Sequence, residues 1–301
     1  MINRENIHQL ATIRDYIRFA ISTFEGCGLY FGHGTSTALD EAVALVLLAL
    51  DLPLDLDQDF FSANLTITER NRVLELIELR AKNRTPLSYL THSAFFAGYR
   101  FYVDERVLVP RSPIAELIES LYTPWVDPDQ IECILDLCTG SGCIAIASAH
   151  AFPDAEVDAV DLSKDALDVA SLNVASHGLE GRVSLIHSDL FSALAGRRYD
   201  LIVSNPPYVS TEEWNGLPME YHAEPRLGLE SGVDGLDCVR RILTDAANFL
   251  TEEGVLIVEV GNSADALERA YPEVPFTWID FSRGGDGVFC MTYQQLRQYF
   301  S

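Results

Sequence analysis

The chain has 301 residues, 48% of them hydrophobic, with 45 acidic against 21 basic side chains and a formal net charge of −24. That length suits two domains and that hydrophobicity a real core, which excludes wholesale disorder. The acidity disfavours bare nucleic acid as a partner, because affinity for it comes from Lys and Arg neutralising phosphates.

The first 90 residues read as helices. Ile7, Leu10, Ile17, Ile21 and Phe24 recur at helical spacing. The glycine-bearing loop Gly28–Gly34 precedes a second helix from about Thr37 to Leu50, with Thr37 and Asp40 as its capping pair. Its apolar run, Ala42 to Leu50, is stopped by Asp51 and is too short to span a bilayer. A third helix follows Thr66-x-x-Glu69, carries Val73, Leu74 and Ile77, and is stopped by Pro86. Aromatic and β-branched residues then alternate between Ser93 and Pro110, which suits a strand pair. These patterns divide the chain into a helical domain (1–92), a β-hairpin connector (93–112) and a catalytic domain (113–301).

From Ile131 strands alternate with helices. Ile131–Leu137, Glu156–Asp161, Arg182–His187, Asp200–Ser204 and Gly254–Val260 read as buried strands. Helices are expected over Cys143–Ala151, Lys164–Ser176, Leu236–Leu250 and Ala264–Tyr271. The pattern implies an α/β fold with a parallel sheet covered on both faces. Phe276–Phe281 and Gly287–Tyr293 have only a glycine-rich turn between them, so they pair as a hairpin and make one strand antiparallel. No secretory signal is visible, and the six cysteines form no C-x-x-C pair, which suits reduced thiols in a cytosolic protein.

The first of these strands ends in Asp136-Leu-Cys138-Thr139-Gly140-Ser-Gly142 before a helix. Glycines here let the backbone turn sharply and approach a ligand. Asp161, closing the next strand, can accept hydrogen bonds from both hydroxyls of a ribose, with Leu162 beside it. Gly140-x-Gly142-x-x-Ala145 also fits the dinucleotide fingerprint, so the loop alone leaves NAD and S-adenosylmethionine both open. Asp136 can steer a methionine ammonium through water or backbone groups. Asp189 and Leu190 can meet the amino group and face of an adenine.

Asn205-Pro206-Pro207-Tyr208 is more specific. Two prolines fix φ and remove two donors, making a stiff turn that projects an amide side chain. An amide nitrogen is a poor nucleophile because its lone pair is delocalised. The Asn205 side-chain oxygen and the Pro206 carbonyl can each accept one N–H of such a target, turning the lone pair toward an activated methyl group. Tyr208 can stack on the flat target. No general base of matched pKa is required, because the methylated product sheds its proton readily.

With these residues the chain resembles the protein-glutamine methyltransferases over nearly its whole length. Arg84-Thr-Pro86-Leu-Ser-Tyr89 through Val109-Pro110-Arg111 looks like the family's connector. Glu224-Pro225-Arg226-Leu227 and Gly232-Val-Asp-Gly235 look like its segment after the proline turn. The resemblance implies a Rossmann-like class I fold with a seven-stranded mixed sheet. It also implies S-adenosylmethionine as donor, S-adenosylhomocysteine as product, no metal, and a helical domain that selects the protein substrate. Asp136, Cys138, Thr139, Gly140, Gly142, Asp161, Leu162, Asp189, Leu190 and Asn205 would then hold the cofactor. Asn205, Pro206, Pro207, Tyr208 and Glu224 would meet the substrate.

Two branches compete, one acting on class I release factors and one on large-subunit ribosomal protein L-three. Ser112-Pro113-Ile114 after Pro110-Arg111, the loop Phe31–Thr35 and the hairpin Gly284–Phe289 look like the ribosomal-protein branch. Residues 1–92 hold 12 acidic and 8 basic residues, so −20 falls on the remainder. That surface suits a basic ribosomal protein, and equally a salty cytoplasm. A DNA adenine methyltransferase shares the proline-turn logic but needs a basic face. An NAD-dependent dehydrogenase has no use for Asn205, and a non-catalytic cofactor-binding assembly protein is a further alternative. Cys138 stands where many methyltransferases carry glycine, and it is expected to fit there only with negative φ. Cys138 and Cys143 read as small packing residues, and His33 as a loop or recognition residue.

Overall fold

Helix caps explain how the chain begins in the computed structural model, which describes residues 9–300. Thr12 accepts the Asp15 N–H while Asp15 reaches back to the Thr12 backbone, opening α1 (Ile13–Gly26) with a reciprocal cap. Thr37 caps α2 (Ala38–Ala49) through the Asp40 N–H, and Thr66 with Glu69 opens α3 (Ile67–Asn83) as its spacing predicts. Pro86 follows the end of α3 and caps a further short helix, α4 (Leu87–Thr91), that periodicity had not announced. Tyr16, Ala20, Phe24, Leu45, Val46, Val73 and Ile77 are buried together as this unit's core. Ile7, assigned to the first helix, lies outside the described residues.

This compact unit comprises the residues up to Ala94 and also Pro218–Ala223, a segment that sequence leaves inside the catalytic domain. Glu220 explains the excursion. Its Oε1 accepts the Tyr30 N–H at 2.9 Å and lies 2.8 Å from Arg84 Nη1 and 3.6 Å from Arg80 Nη1. Arg80 also reaches Glu41 at 2.5 Å, and Arg80, Glu41 and Glu220 are all buried. Buried charges persist only when paired, so one carboxylate specifies where this segment goes.

The second unit takes Phe95–Leu217 and Glu224 onward. The expected strand pair is short: β1 (Ala94–Phe96) and β2 (Tyr99–Phe101), turned at Ala97-Gly98, both with positive φ as a tight hairpin requires. Then come α5 (Ile114–Glu119), β3 (Cys133–Leu137), α6 (Cys143–Ala151), β4 (Glu156–Asp161), α7 (Lys164–Ser176), β5 (Val183–His187), β6 (Tyr199–Ser204) and α8 (Thr211–Gly216). They are followed by α9 (Asp237–Asp245), β7 (Leu250–Glu259), α10 (Ala264–Ala270), β8 (Thr277–Trp278), β9 (Val288–Thr292) and α11 (Tyr293–Tyr299). The helix expected to reach Leu250 stops at Asp245, because Leu250 already pairs with Tyr199 as the start of β7.

The seven strands run in the order β5-β4-β3-β6-β7-β9-β8, with β9 antiparallel to β7 and β8. This is the class I methyltransferase sheet, and the antiparallel hairpin lies where the glycine turn required it. Strand order reverses at β3 and β6, so a crevice opens beyond their carboxyl ends. One face of the sheet packs Ile134, Val157, Leu201 and Ile257 against α5 and α6. The other packs Leu135, Val160, Ile202 and Leu256 against α9. No helix among the described residues is long and apolar enough to cross a membrane.

Candidate active site at the carboxyl edge of the sheet

A cavity of about 360 Å³ opens beyond the carboxyl ends of β3, β4, β5 and β6. Of the residues singled out from sequence, Cys138, Thr139, Gly140, Asp161, Leu162, Asp189, Leu190, Asn205 and Pro207 line it. Asp136, Gly142, Pro206, Tyr208 and Glu224 do not.

The loop after β3 is held from both sides. The Thr139 N–H donates to the Val160 carbonyl at 2.9 Å, and the Gly140 N–H to Asp161 Oδ2 at 2.9 Å. Asp161 Oδ1 takes the Ser163 N–H at 2.8 Å, and burial raises the Asp161 pKa. Asn173 on α7 is fully buried and donates to the carbonyls of Ser141 (2.8 Å) and Tyr102 (3.0 Å), while accepting the Tyr102 N–H. Sequence gave no sign of Asn173, because its partners lie 32 and 71 positions away.

One expectation about this loop changes. Cys138 has φ +62, not a negative value, so the loop keeps its glycine-like turn and carries the strain of a β-carbon there. Its thiol lies against Cys238, and that hydrogen bond, with burial, pushes the Cys138 pKa up. Asp136 sits behind the loop, 1% exposed, where its Oδ2 takes the Thr139 hydroxyl (2.5 Å) and the Ala145 N–H (3.0 Å). Its Oδ1 has no hydrogen-bond partner among the described residues, and burial pushes its pKa up to about 7.

Asp189 lines the cavity and pairs with Arg241 at 2.9 Å, and Leu190 packs beside it at φ +48. The cavity fits S-adenosylmethionine. Asp161 offers a carboxylate to a diol, and Leu162 and Leu190 offer apolar walls to a base. Gly140 has open space where a β-carbon would stand, and the unpartnered oxygen of Asp136 suits a cation nearby.

The proline turn leaves β6 directly into this cavity. Ser204 is fixed by its hydroxyl to the Leu137 carbonyl at 2.8 Å. Asn205 follows on the wall, and its side chain makes no hydrogen bond among the described residues. Pro207 rather than Pro206 lines the cavity. Tyr208 is anchored at its edge: its hydroxyl donates to Glu259 Oε1 at 2.9 Å, and its ring packs on Gly261. Glu224 also moves from the expected substrate surface to the interior. It is 3% exposed and accepts Arg111 Nη1 (2.6 Å), Arg111 Nη2 (2.8 Å) and the Val109 N–H (2.9 Å), tying the Val109–Arg111 loop to the segment after the turn. His33 belongs to the helical unit, buried against the ring of Tyr221.

The methyltransferase small domain profile matches residues 117–217. Ribosomal protein uL3 glutamine methyltransferase of Neisseria gonorrhoeae is 55% identical over 290 residues, covering 96% of this chain and 96% of the relative. The protein of the same name from Neisseria meningitidis serogroup A is 55% identical, covering 96% and 95%. Among solved structures, the hMettl16 catalytic domain in complex with a MAT2A 3′UTR hairpin aligns with TM-score 0.53 at 17% identity, over 77% of this chain and 84% of that one. At that identity the likeness speaks to the fold alone.

Proposed function

The chain belongs to the ribosomal protein uL3 glutamine methyltransferases, and from that membership we propose that it methylates the side-chain amide nitrogen of a glutamine in uL3, with Asn205 holding the target. S-adenosylmethionine supplies a sulfonium-activated methyl group and leaves as S-adenosylhomocysteine. The chain's own task is alignment. Asn205 Oδ1 and the Pro206 carbonyl each accept one N–H of the target amide, which weakens delocalisation and points the nitrogen lone pair into the cavity. Asp161 binds the ribose hydroxyls, Asp136 favours the ammonium from behind the loop, and Asp189 with Leu190 receives the adenine. Pro207 walls the target side, and Glu224 acts through Arg111 to hold the loop at Val109–Arg111.

The observation that carries this reading is that Asn205 lines the same cavity as Gly140 and Asp161 and leaves its amide uncommitted. Residues 1–92 together with Pro218–Ala223 serve as the substrate-recognition domain, residues 93–112 as connector and the remainder of 113–301 as the catalytic domain. The acidic catalytic half draws a basic ribosomal protein and repels DNA, and the work is done in the cytoplasm. The test is Asn205→Ala. Transfer to uL3 should fall by about two to three orders of magnitude while S-adenosylmethionine affinity stays near wild type. Equal loss of both would assign the turn a structural role only.

A further inference from the structure

We propose that Glu259 is a positioning residue for the Asn205–Tyr208 turn, its carboxylate shared between the hydroxyls of Ser112 and Tyr208. The inference rests on Asn205 as the acceptor for the target amide. Glu259 closes β7, and its neighbour Val258 pairs with Ser204, the residue before the turn. Tyr208 donates to Oε1 at 2.9 Å and Ser112 donates to Oε2 at 2.5 Å. The Ser112 oxygen in turn accepts the Ile114 N–H at 3.1 Å.

The carboxylate is 5% exposed, and burial raises its pKa with Asp286 adding repulsion, against the two hydroxyls and Arg111. Packing alone does not account for such a group, since a hydrocarbon of similar volume fills space without the desolvation cost. Hydrocarbon cannot accept two hydroxyl hydrogens at once, on opposite oxygens, from segments 147 and 51 positions away in the chain. Charge-assisted bonds of this kind are stronger than neutral ones.

The rest of Tyr208 is held by close approach. A β-carbon on Gly235 would stand 2.1 Å from the Tyr208 carbonyl, and one on Gly261 2.7 Å from its ring. Ser263 donates to the same carbonyl at 2.7 Å. Prolines 206 and 207 have fixed φ, so anchoring Ser204 at one end and Tyr208 at the other leaves Asn205 little freedom. The Ser112 hydroxyl thereby reaches the turn through Glu259.

The test compares Glu259→Ala, Glu259→Gln, Tyr208→Phe and the Glu259→Ala/Tyr208→Phe double variant by amide hydrogen exchange, S-adenosylmethionine binding and turnover on uL3. Glu259→Ala and Tyr208→Phe should each speed exchange at the Val209 amide and lower kcat about tenfold, with KM for S-adenosylmethionine unchanged. The double variant should be no slower than either single one, and Glu259→Gln, which still accepts one hydroxyl, should recover part of the loss. Wild-type exchange and kcat in both single variants, or additive losses in the double one, would overturn the proposal. Should Glu259→Ala fail to fold, Tyr208→Phe removes only the hydroxyl and decides the matter. A wild-type protein inert toward uL3 would sink the substrate assignment, while the exchange comparison would still judge the Glu259 contact.

Discussion

Asp136 combines deep burial with one carboxylate oxygen that no neighbour among the described residues satisfies. Burial pushes its pKa up to about 7, so it changes charge near neutrality. The anion favours a cationic cofactor and the neutral acid does not. S-adenosylmethionine affinity should therefore rise between about pH 6 and 8, and Asp136→Asn should flatten that slope in a calorimetric titration. For the cofactor-free fold the sign is opposite. A folded pKa above the unfolded value of about 4 gives a contribution present below pH 4 and lost as pH rises through 7, so stability should decline across that window. Cys138 is a second case. At φ +62 it carries a strain that glycine lacks, so Cys138→Gly should raise stability by up to about 1 kcal/mol in thermal unfolding. A lower melting temperature would mean the thiol contact with Cys238 outweighs the strain.

At the scale of elements, Glu220 links a six-residue excursion to the helices of the N-terminal unit. Removing it leaves Arg84 exposed to less charge and Arg80 with Glu41 as its remaining carboxylate. Breaking a buried network in this way typically costs about 3–5 kcal/mol, so Glu220→Ala should unfold this unit at markedly lower denaturant, followed by helical circular dichroism. An unchanged midpoint would mean Arg80 and Glu41 suffice. The elements themselves were largely legible because local rules govern them. Thr37 and Thr66 announce their helices, β4, α6 and α7 match their predicted bounds, and Gly284–Gly287 fixes the final hairpin. The cavity loop and the Asn205 turn were legible for the same reason, since glycine and proline act on their own backbone. Glu259, Asn173, Glu220 and the interior place of Glu224 were not. Each is specified by partners tens of positions away, and no periodicity marks a polar residue destined for burial.

For the molecule as a whole, the charge of −24 is the property most open to two explanations. Steering of a basic substrate acts over about a Debye length, so raising ionic strength from low to physiological values should weaken uL3 association several-fold through the association rate. A flat response would assign the acidity to solvation. The decisive measurement is methyl transfer itself: pure protein and labelled S-adenosylmethionine, incubated separately with unmethylated uL3, a class I release factor and duplex DNA, and each product mapped by mass spectrometry. Label on one glutamine side chain of uL3, and on neither other substrate, is the expected result. Label on the release factor instead would keep the amide chemistry and overturn the substrate, and label on DNA alone would contradict the account at its centre.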